Sequence, residues 1–185
     1  MTDKEWIRKV YLPKLGGKVL YVGVLATDDL HQYVPNPELF ETIDIDPKVE
    51  KGISPYNHYV GDFNDFKEEY KYDHISLHGL WGDEVYYVNE GKNNPKMENW
   101  KKVISMICKA HDMLNVGGTL QMGPNLKDKT TMDSLYDFLE NNGYFRIFRQ
   151  SGQPPNNTAH HLANYNYIFW GQKKTDQKYD IEYVK

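Results

Sequence analysis

Residues 40–47, with the sequence FETIDIDP, are the most informative part of the chain about its fold. The stretch begins as a buried-type strand and ends in two carboxylates, Asp44 and Asp46. An ionised carboxylate at a strand end can accept hydrogen bonds from both hydroxyls of a ribose, and such charge-assisted bonds are roughly twice as strong as neutral ones. We therefore predict a nucleotide-like ligand with Asp44 as the ribose acceptor. Asp46 precedes Pro47, and we interpret this pair as a helix N-cap with proline at the first helical position.

The preceding strand strengthens this interpretation through its spacing. Residues 18–24, KVLYVGV, have the composition of a buried strand that reaches a glycine, and Asp44 follows Gly23 by 21 positions. This is the spacing between the glycine turn and the ribose-binding acid in dinucleotide-binding βαβ units. The two strands together therefore predict a nucleotide site at their carboxyl ends.

Composition limits the class of protein. The chain has 185 residues, of which 39% are hydrophobic and 14% aromatic, and this suits one globular domain over residues 1–185. A net charge of -4 argues against a nucleic-acid partner. The sequence has no apolar run long enough to span a bilayer and no signal peptide at its N-terminus, so we expect a cytoplasmic protein without a membrane partner. The single cysteine, Cys108, is interpreted as a small buried hydrophobe.

Strand-like and helix-like runs alternate along most of the chain. This order predicts an α/β fold: a Rossmann-like, mainly parallel seven-stranded sheet flanked by helices, with a C-terminal antiparallel strand pair. A polar connection without a helix, residues 151–163, joins the last two strands and accounts for their antiparallel pairing. The predicted strands are residues 18–24, 40–44, 58–62, 74–78, 119–122, 145–150 and 165–171.

The sequence predicts two long helices and several shorter ones. Residues 97–114 and 130–141 carry apolar side chains at helical spacing, and the pair Gly117-Gly118 is expected to end the first of them. Residues 1–17 are predicted to form an N-terminal helix and lead-in, and residues 173–185 a loose tail. Shorter helices are expected at residues 3–10, 27–32 and 47–51.

This layout resembles that of the class I S-adenosylmethionine-dependent methyltransferases, over roughly residues 18–173. Gly23, with Val24 beside it, matches the first glycine of the family's loop after the first strand. Asp44 matches the acid that holds the cofactor ribose, and Asp62, in Gly61-Asp62, matches the acid that meets the adenine amino group. The resemblance implies that S-adenosylmethionine is the cofactor.

The same resemblance places Ile45 and Phe63 on either side of the adenine. Such contacts are physically sensible, because the adenine ring favours apolar side chains on both of its faces. The adenine amino group, a donor, needs an acceptor. The sequence departs from the family where Leu25 and Thr27 occupy the second and third glycine positions. Side chains at these positions narrow the room for the methionine part of the cofactor.

The acceptor site is expected beyond the fourth strand. His78, at the end of that strand, is the candidate general base and also a candidate cofactor contact, and Asp83 is a second candidate base. Residues 79–96 form a long connection rich in aromatic and polar groups, as in a substrate-binding lid. The candidate substrate-binding residues are Trp81, Tyr86, Tyr87 and His160.

Three functions remain open from the sequence. The first is O-methylation of a small molecule or a carbohydrate. The second is a methyltransferase-like module that binds the cofactor or a partner without catalysis, because the loop after the first strand is poor in glycine. The third is an NAD-dependent reductase on the same architecture, ranked last because the Gly-x-Gly-x-x-Gly fingerprint is missing. We expect no obligatory metal, because the neighbouring His160 and His161 lack the spacing of known metal sites.

Overall fold

The computed structural model describes residues 5, 7–23, 29–48, 57–67, 70–78, 97–123, 141, 143–147 and 169–177. Within these ranges the chain forms a seven-stranded sheet in the order β3-β2-β1-β4-β5-β7-β6. The strands are β1 Val19–Val22, β2 Phe40–Asp44, β3 Asn57–Val60, β4 Tyr72–His78, β5 Leu114–Gly123, β6 Phe145–Ile147 and β7 Phe169–Lys173. One long helix, α1, spans Met97–Met113.

Strand directions agree with the predicted fold class. Strands β3, β2, β1, β4 and β5 pair in parallel with one another, while β7 is antiparallel to both β5 and β6. The prediction of a mainly parallel Rossmann-like sheet with an antiparallel C-terminal pair is therefore confirmed. The strand predicted over residues 40–44 is confirmed with the same bounds.

The central strand β1 is buried along its whole length because both faces of the sheet are covered. One face packs against α1, through a cluster that includes Leu20, Ile75 and Ile107. The other face packs against the N-terminal segment, residues 10–15, through a cluster that includes Leu12, Val19 and Phe40. The sheet is therefore packed on both faces, against α1 on one side and against the N-terminal segment on the other.

Helix α1 lies within one residue of the helix predicted over residues 97–114. Ile104, Ile107 and Ala110 are buried at helical spacing and direct this face of α1 onto the sheet. Cys108 is half-buried against the same cluster. Burial raises the pKa of its thiol to about 11, and the Asp112 carboxylate acts in the same direction, so the thiol is protonated at neutral pH.

The prediction for the glycine pair was wrong in one respect. Helix α1 ends at Met113, and Gly117-Gly118 lies inside β5, which begins at once with Leu114. The pairing of β5 with β4 shifts there, since Tyr72 faces Leu114 while His74 faces Thr119. The glycines serve this bulge: Gly117 has a φ of 85°. A Cβ on Gly118 would lie 2.8 Å from the carbonyl oxygen of Asn115.

The shorter helices differ from the prediction in type. The N-terminal segment contains a π-helical turn at Ile7–Tyr11 followed by a 3-10 helix at Leu12–Lys14. Two further 3-10 helices lie at Leu30–Tyr33 and Pro37–Leu39. The predicted helix at residues 130–141 lies outside the described residues except for Asn141, which is helical. Among the helices that the structure describes, none has the length and apolar character needed to span a bilayer.

Candidate functional site

The candidate site lies at the carboxyl edge of the parallel strands. Strands β3, β2, β1 and β4 are neighbours and run in the same direction, so their carboxyl ends share this edge. The chain moves from β1 to β2 and β3 on one side, and from β4 to β5 on the other. The crevice between β1 and β4 is therefore a topological switch point, where open α/β sheets bind their ligands.

Gly23 directly follows β1 at this edge. Its φ is 86°, a backbone conformation that side-chain-bearing residues rarely adopt. Its amide donates to the carbonyl oxygen of Ile43 at 2.9 Å, which ties the end of β1 to the end of β2. The glycine thus turns the chain out of the sheet at the switch point. Val24 lies outside the described residues, and its predicted cofactor contact stays a prediction.

Asp44 is the last residue of β2 and is half-buried. One of its carboxylate oxygens accepts a hydrogen bond from the amide of Asp46 at 2.8 Å. Its carbonyl oxygen accepts from the amide of Gly61 at 2.8 Å, which ties the turn after β3 to the end of β2. Asp46 accepts from the amide of Lys48 at 2.9 Å, the type of bond that an N-cap makes.

Asp62 follows β3 at the same edge and is exposed. Asp44 pairs with Val60 across the two strands, so Asp62 stands two residues beyond that pair. Its carboxylate accepts from the amide of Asn64 at 2.7 Å. Its carbonyl oxygen accepts from the amide of Asp65 at 3.1 Å, which closes a tight turn. The structure thus brings the two predicted acids to adjacent strand ends.

The two predicted adenine neighbours differ in exposure. Ile45 is 73% exposed although it is a large apolar residue, and it stands directly after Asp44. Phe63 is 2% exposed and belongs to the core cluster that contains Ile107. Ile45 therefore offers an apolar surface beside the acids, whereas the Phe63 ring packs into the core. Ligand contacts of both residues stay predictions.

Sequence reasoning missed Lys109 of α1. Its ammonium group donates to the carbonyl oxygens of Phe63 and Asn64, the second at 2.6 Å. Burial lowers the pKa of Lys109, and the carboxylates of Asp65 and Asp62 act in the opposite direction. Nothing in the local pattern distinguishes this lysine from other polar residues of the helix, because its contacts are made 45 or more positions away.

His78 is the last residue of β4 and pairs with Gly123 of β5, which places its backbone at the same edge. The other predicted catalytic and substrate-binding residues lie outside the described residues and stay predictions: Asp83, Trp81, Tyr86, Tyr87 and His160. Across the described ranges, no group of three or more His, Cys, Asp and Glu side chains is arranged to hold a metal ion.

Sequence comparison and structural comparison give different results. No model of a protein family matches the chain, and no curated protein is a significant match. Solved structures do match. The N-methyltransferase NodS from Bradyrhizobium japonicum, in complex with S-adenosylhomocysteine, has 16% identity and a TM-score of 0.56 over 95% of this chain and 89% of its own.

Two further matches have other acceptors in their names. The sugar N-methyltransferase KedS8 from a Streptoalloteichus species has 13% identity and a TM-score of 0.53 over 94% of this chain and 87% of its own. A putative rRNA methylase from Clostridium thermocellum has 14% identity and a TM-score of 0.53 over 94% of both chains. At these identities the likeness shows the fold alone: the chain has the fold of these methyltransferases.

Proposed function

We propose that this chain, with its class I methyltransferase fold, is a methyltransferase that uses S-adenosylmethionine. The observation that carries the proposal is the position of Asp44 and Asp62 at the carboxyl ends of neighbouring strands, with Gly23 at the end of the next strand. The switch point between β1 and β4 is where such a fold binds a nucleotide.

The described residues fit an adenosine-containing cofactor. Asp44 supplies a charged acceptor for the ribose hydroxyls, and Asp62 supplies an acceptor for the adenine amino group. Ile45, exposed beside them, offers an apolar face for the ring. Bound there, S-adenosylmethionine supplies an activated methyl group. The protein's task is then mainly to align an acceptor, and alignment can contribute about 7 to 11 kcal/mol of barrier lowering.

For the acceptor, we propose a small molecule or a carbohydrate, methylated in the cytoplasm. The net charge of -4 supports this choice over nucleic acid, because a phosphate backbone is bound through basic surface. The matched proteins include a sugar N-methyltransferase and an rRNA methylase, so the fold itself is compatible with either acceptor.

For the methylated atom, we propose oxygen, with His78 as the general base that removes the hydroxyl proton. The backbone position of His78 beside the switch point supports this role. Nitrogen is the second candidate, favoured by the two matched N-methyltransferases. An acceptor screen with paired hydroxyl and amino forms of the same compounds would distinguish the two.

A cofactor-binding module without catalysis is the other candidate function. It is favoured by Leu25 and Thr27 in place of two family glycines. Calorimetry with S-adenosylhomocysteine tests whether the site binds, and the acceptor screen then tests whether it transfers. Binding of NADH with no affinity for S-adenosylhomocysteine would instead favour the reductase.

Replacing Asp44 with alanine is expected to weaken S-adenosylhomocysteine binding by about 1 to 3 kcal/mol, which is about fivefold to 150-fold in Kd. The reason is that two ribose hydroxyls lose a charged acceptor. Isothermal titration calorimetry measures the change directly.

Asp46→Ala is the matched control, because Asp46 is also an acid that caps a neighbouring amide but is exposed. The affinity of this variant for S-adenosylhomocysteine should stay within about twofold of that of the unchanged protein. Equal losses in the two variants would contradict the assignment of Asp44 to the ribose, and no binding by the unchanged protein would refute the proposed function.

A further inference from the structure

We propose that Lys109 of α1 is a positioning residue for the adenine end of the site: its ammonium group holds the turn of residues 62–65 so that the Asp62 carboxylate faces the ligand. The inference rests on the proposed function and adds to it a residue that does not itself touch the ligand. Through Lys109, helix α1 on one face of the sheet would determine the shape of a turn at the carboxyl edge of the sheet.

The contacts of Lys109 fix two consecutive peptide groups. Its Nζ donates to the carbonyl oxygen of Phe63 and, at 2.6 Å, to that of Asn64. The same Nζ lies 5.0 Å from the centroid of the Phe63 ring, within cation-π distance. One ammonium group thus constrains the backbone directly after Asp62 from the side of the core.

The turn needs such an anchor because the sheet holds it from one side only. Strand β3 has four residues, lies at the end of the described strand order and pairs with β2. Beyond it, Phe63 and Phe66 pack into the core, but the backbone of the turn relies on its own bonds. These bonds run from the amides of Asp65 and Phe66 to the carbonyl oxygen of Asp62. Short turns at a sheet edge are expected to open locally unless other elements hold them.

Charge supports the same arrangement. The carboxylates of Asp65 and Asp62 favour the charged form of Lys109, although burial lowers its pKa. The ammonium group therefore has two carbonyl oxygens that accept hydrogen bonds from it and two carboxylates that attract its charge. A neutral side chain of similar length would retain the packing against Phe63 and lose all of these interactions.

The test uses Lys109→Met together with Lys109→Arg. The ligands are S-adenosylhomocysteine and its purine analogue, in which hydrogen replaces the adenine amino group. We expect Lys109→Met to weaken the binding of S-adenosylhomocysteine about tenfold and that of the analogue by clearly less. The reason is that the lost interaction is that of the adenine amino group with Asp62. Lys109→Arg, which keeps a charged donor, should restore most of the affinity.

Lys71→Met is the matched control. Lys71 also donates from Nζ to a main-chain carbonyl, that of Asp112, but it precedes β4 and so lies at the opposite edge of the sheet. Its removal should leave both ligand affinities within about twofold of those of the unchanged protein. Hydrogen exchange gives a readout without ligand: the amides of Asp65 and Phe66 should exchange faster in Lys109→Met, while that of Gly23 should not.

Each other outcome would overturn the inference. If the unchanged protein binds S-adenosylhomocysteine and Lys109→Met binds it equally well, the positioning role fails while the proposed function stands. Equal weakening of the binding of both ligands would show that Lys109 has only a structural role. If Lys109→Met does not fold, Lys109→Gln takes its place. Unchanged hydrogen exchange at Asp65 and Phe66, with an unchanged preference for S-adenosylhomocysteine over the analogue, would then overturn the inference. No binding by the unchanged protein would overturn the function and, with it, this role.

Discussion

Replacing Lys173 with methionine is expected to lower the free energy of unfolding by about 4 kcal/mol. The Lys173 side chain is 1% exposed, and its Nζ donates to the carbonyl oxygens of His111 and Leu114, both at 2.8 Å. Methionine would fill the same space and leave both oxygens without this donor. Each buried polar group left unsatisfied costs about 1 to 3 kcal/mol.

The position of this lysine increases the expected loss. Helix α1 ends at Met113, and a positive charge near the last carbonyls of a helix is itself stabilising. Lys173 also pairs with Asp176 at 2.9 Å and holds the pKa of that exposed carboxyl below its usual value. One side chain of β7 thus caps the long helix.

Urea denaturation at neutral pH, followed by circular dichroism, measures the effect. Lys174→Met is the control, because Lys174 is the exposed neighbour of Lys173 on the chain. A surface substitution of this kind is expected to change the free energy of unfolding by no more than about 0.5 kcal/mol. Similar losses in the two variants would show that the buried contacts of Lys173 contribute little.

Between pH 6.5 and pH 4, the free energy of unfolding is expected to fall by about 3 kcal/mol through His111 alone. The His111 side chain is 0% exposed. Burial, and then the charge of Lys173, lower its pKa to about 4, although Asp112 and Asp176 act in the opposite direction. Its ring packs edge-on against Tyr144 and Phe145, with centroids 5.5 and 5.2 Å apart.

The direction follows from proton binding in the two states. Histidine in an unfolded chain has a pKa of about 6.5, so between the two pKa values the unfolded state binds more protons than the folded state. Stability therefore rises with pH in this window, at up to about 1.4 kcal/mol per pH unit, and is fully present above it. Acidification removes this stability because the buried ring must become charged.

His111→Gln provides the measurement. Denaturation midpoints of the two proteins, converted to free energies, should diverge across this pH range, with the variant showing the shallower slope. Carboxylates titrate in both proteins, so the difference between the two curves isolates the histidine. Parallel curves would show that His111 takes up its proton in the folded state as easily as in the unfolded one.

Local pattern was sufficient for much of the fold. Residues 40–44 form β2 with the predicted bounds, and α1 lies within one residue of its prediction. Apolar periodicity sets both, because it records which faces must be buried. The placement of Asp44 at a strand end follows from the same pattern. The start of β5 at Leu114 instead of residue 119 does not follow from it, because a bulge depends on the register of the partner strand.

The alternation of strands along the chain, and with it the sheet edge at which Gly23, Asp44 and Asp62 lie, follows from the amino-acid sequence. The anchoring contacts of two lysines emerge only from the packed fold, since Lys109 reaches a turn 45 positions away and Lys173 caps a helix from 59 or more positions away. The physical reason is that burial patterns repeat along the chain and can be recognised locally. A hydrogen bond between distant segments depends on how the layers pack, which local sequence does not encode.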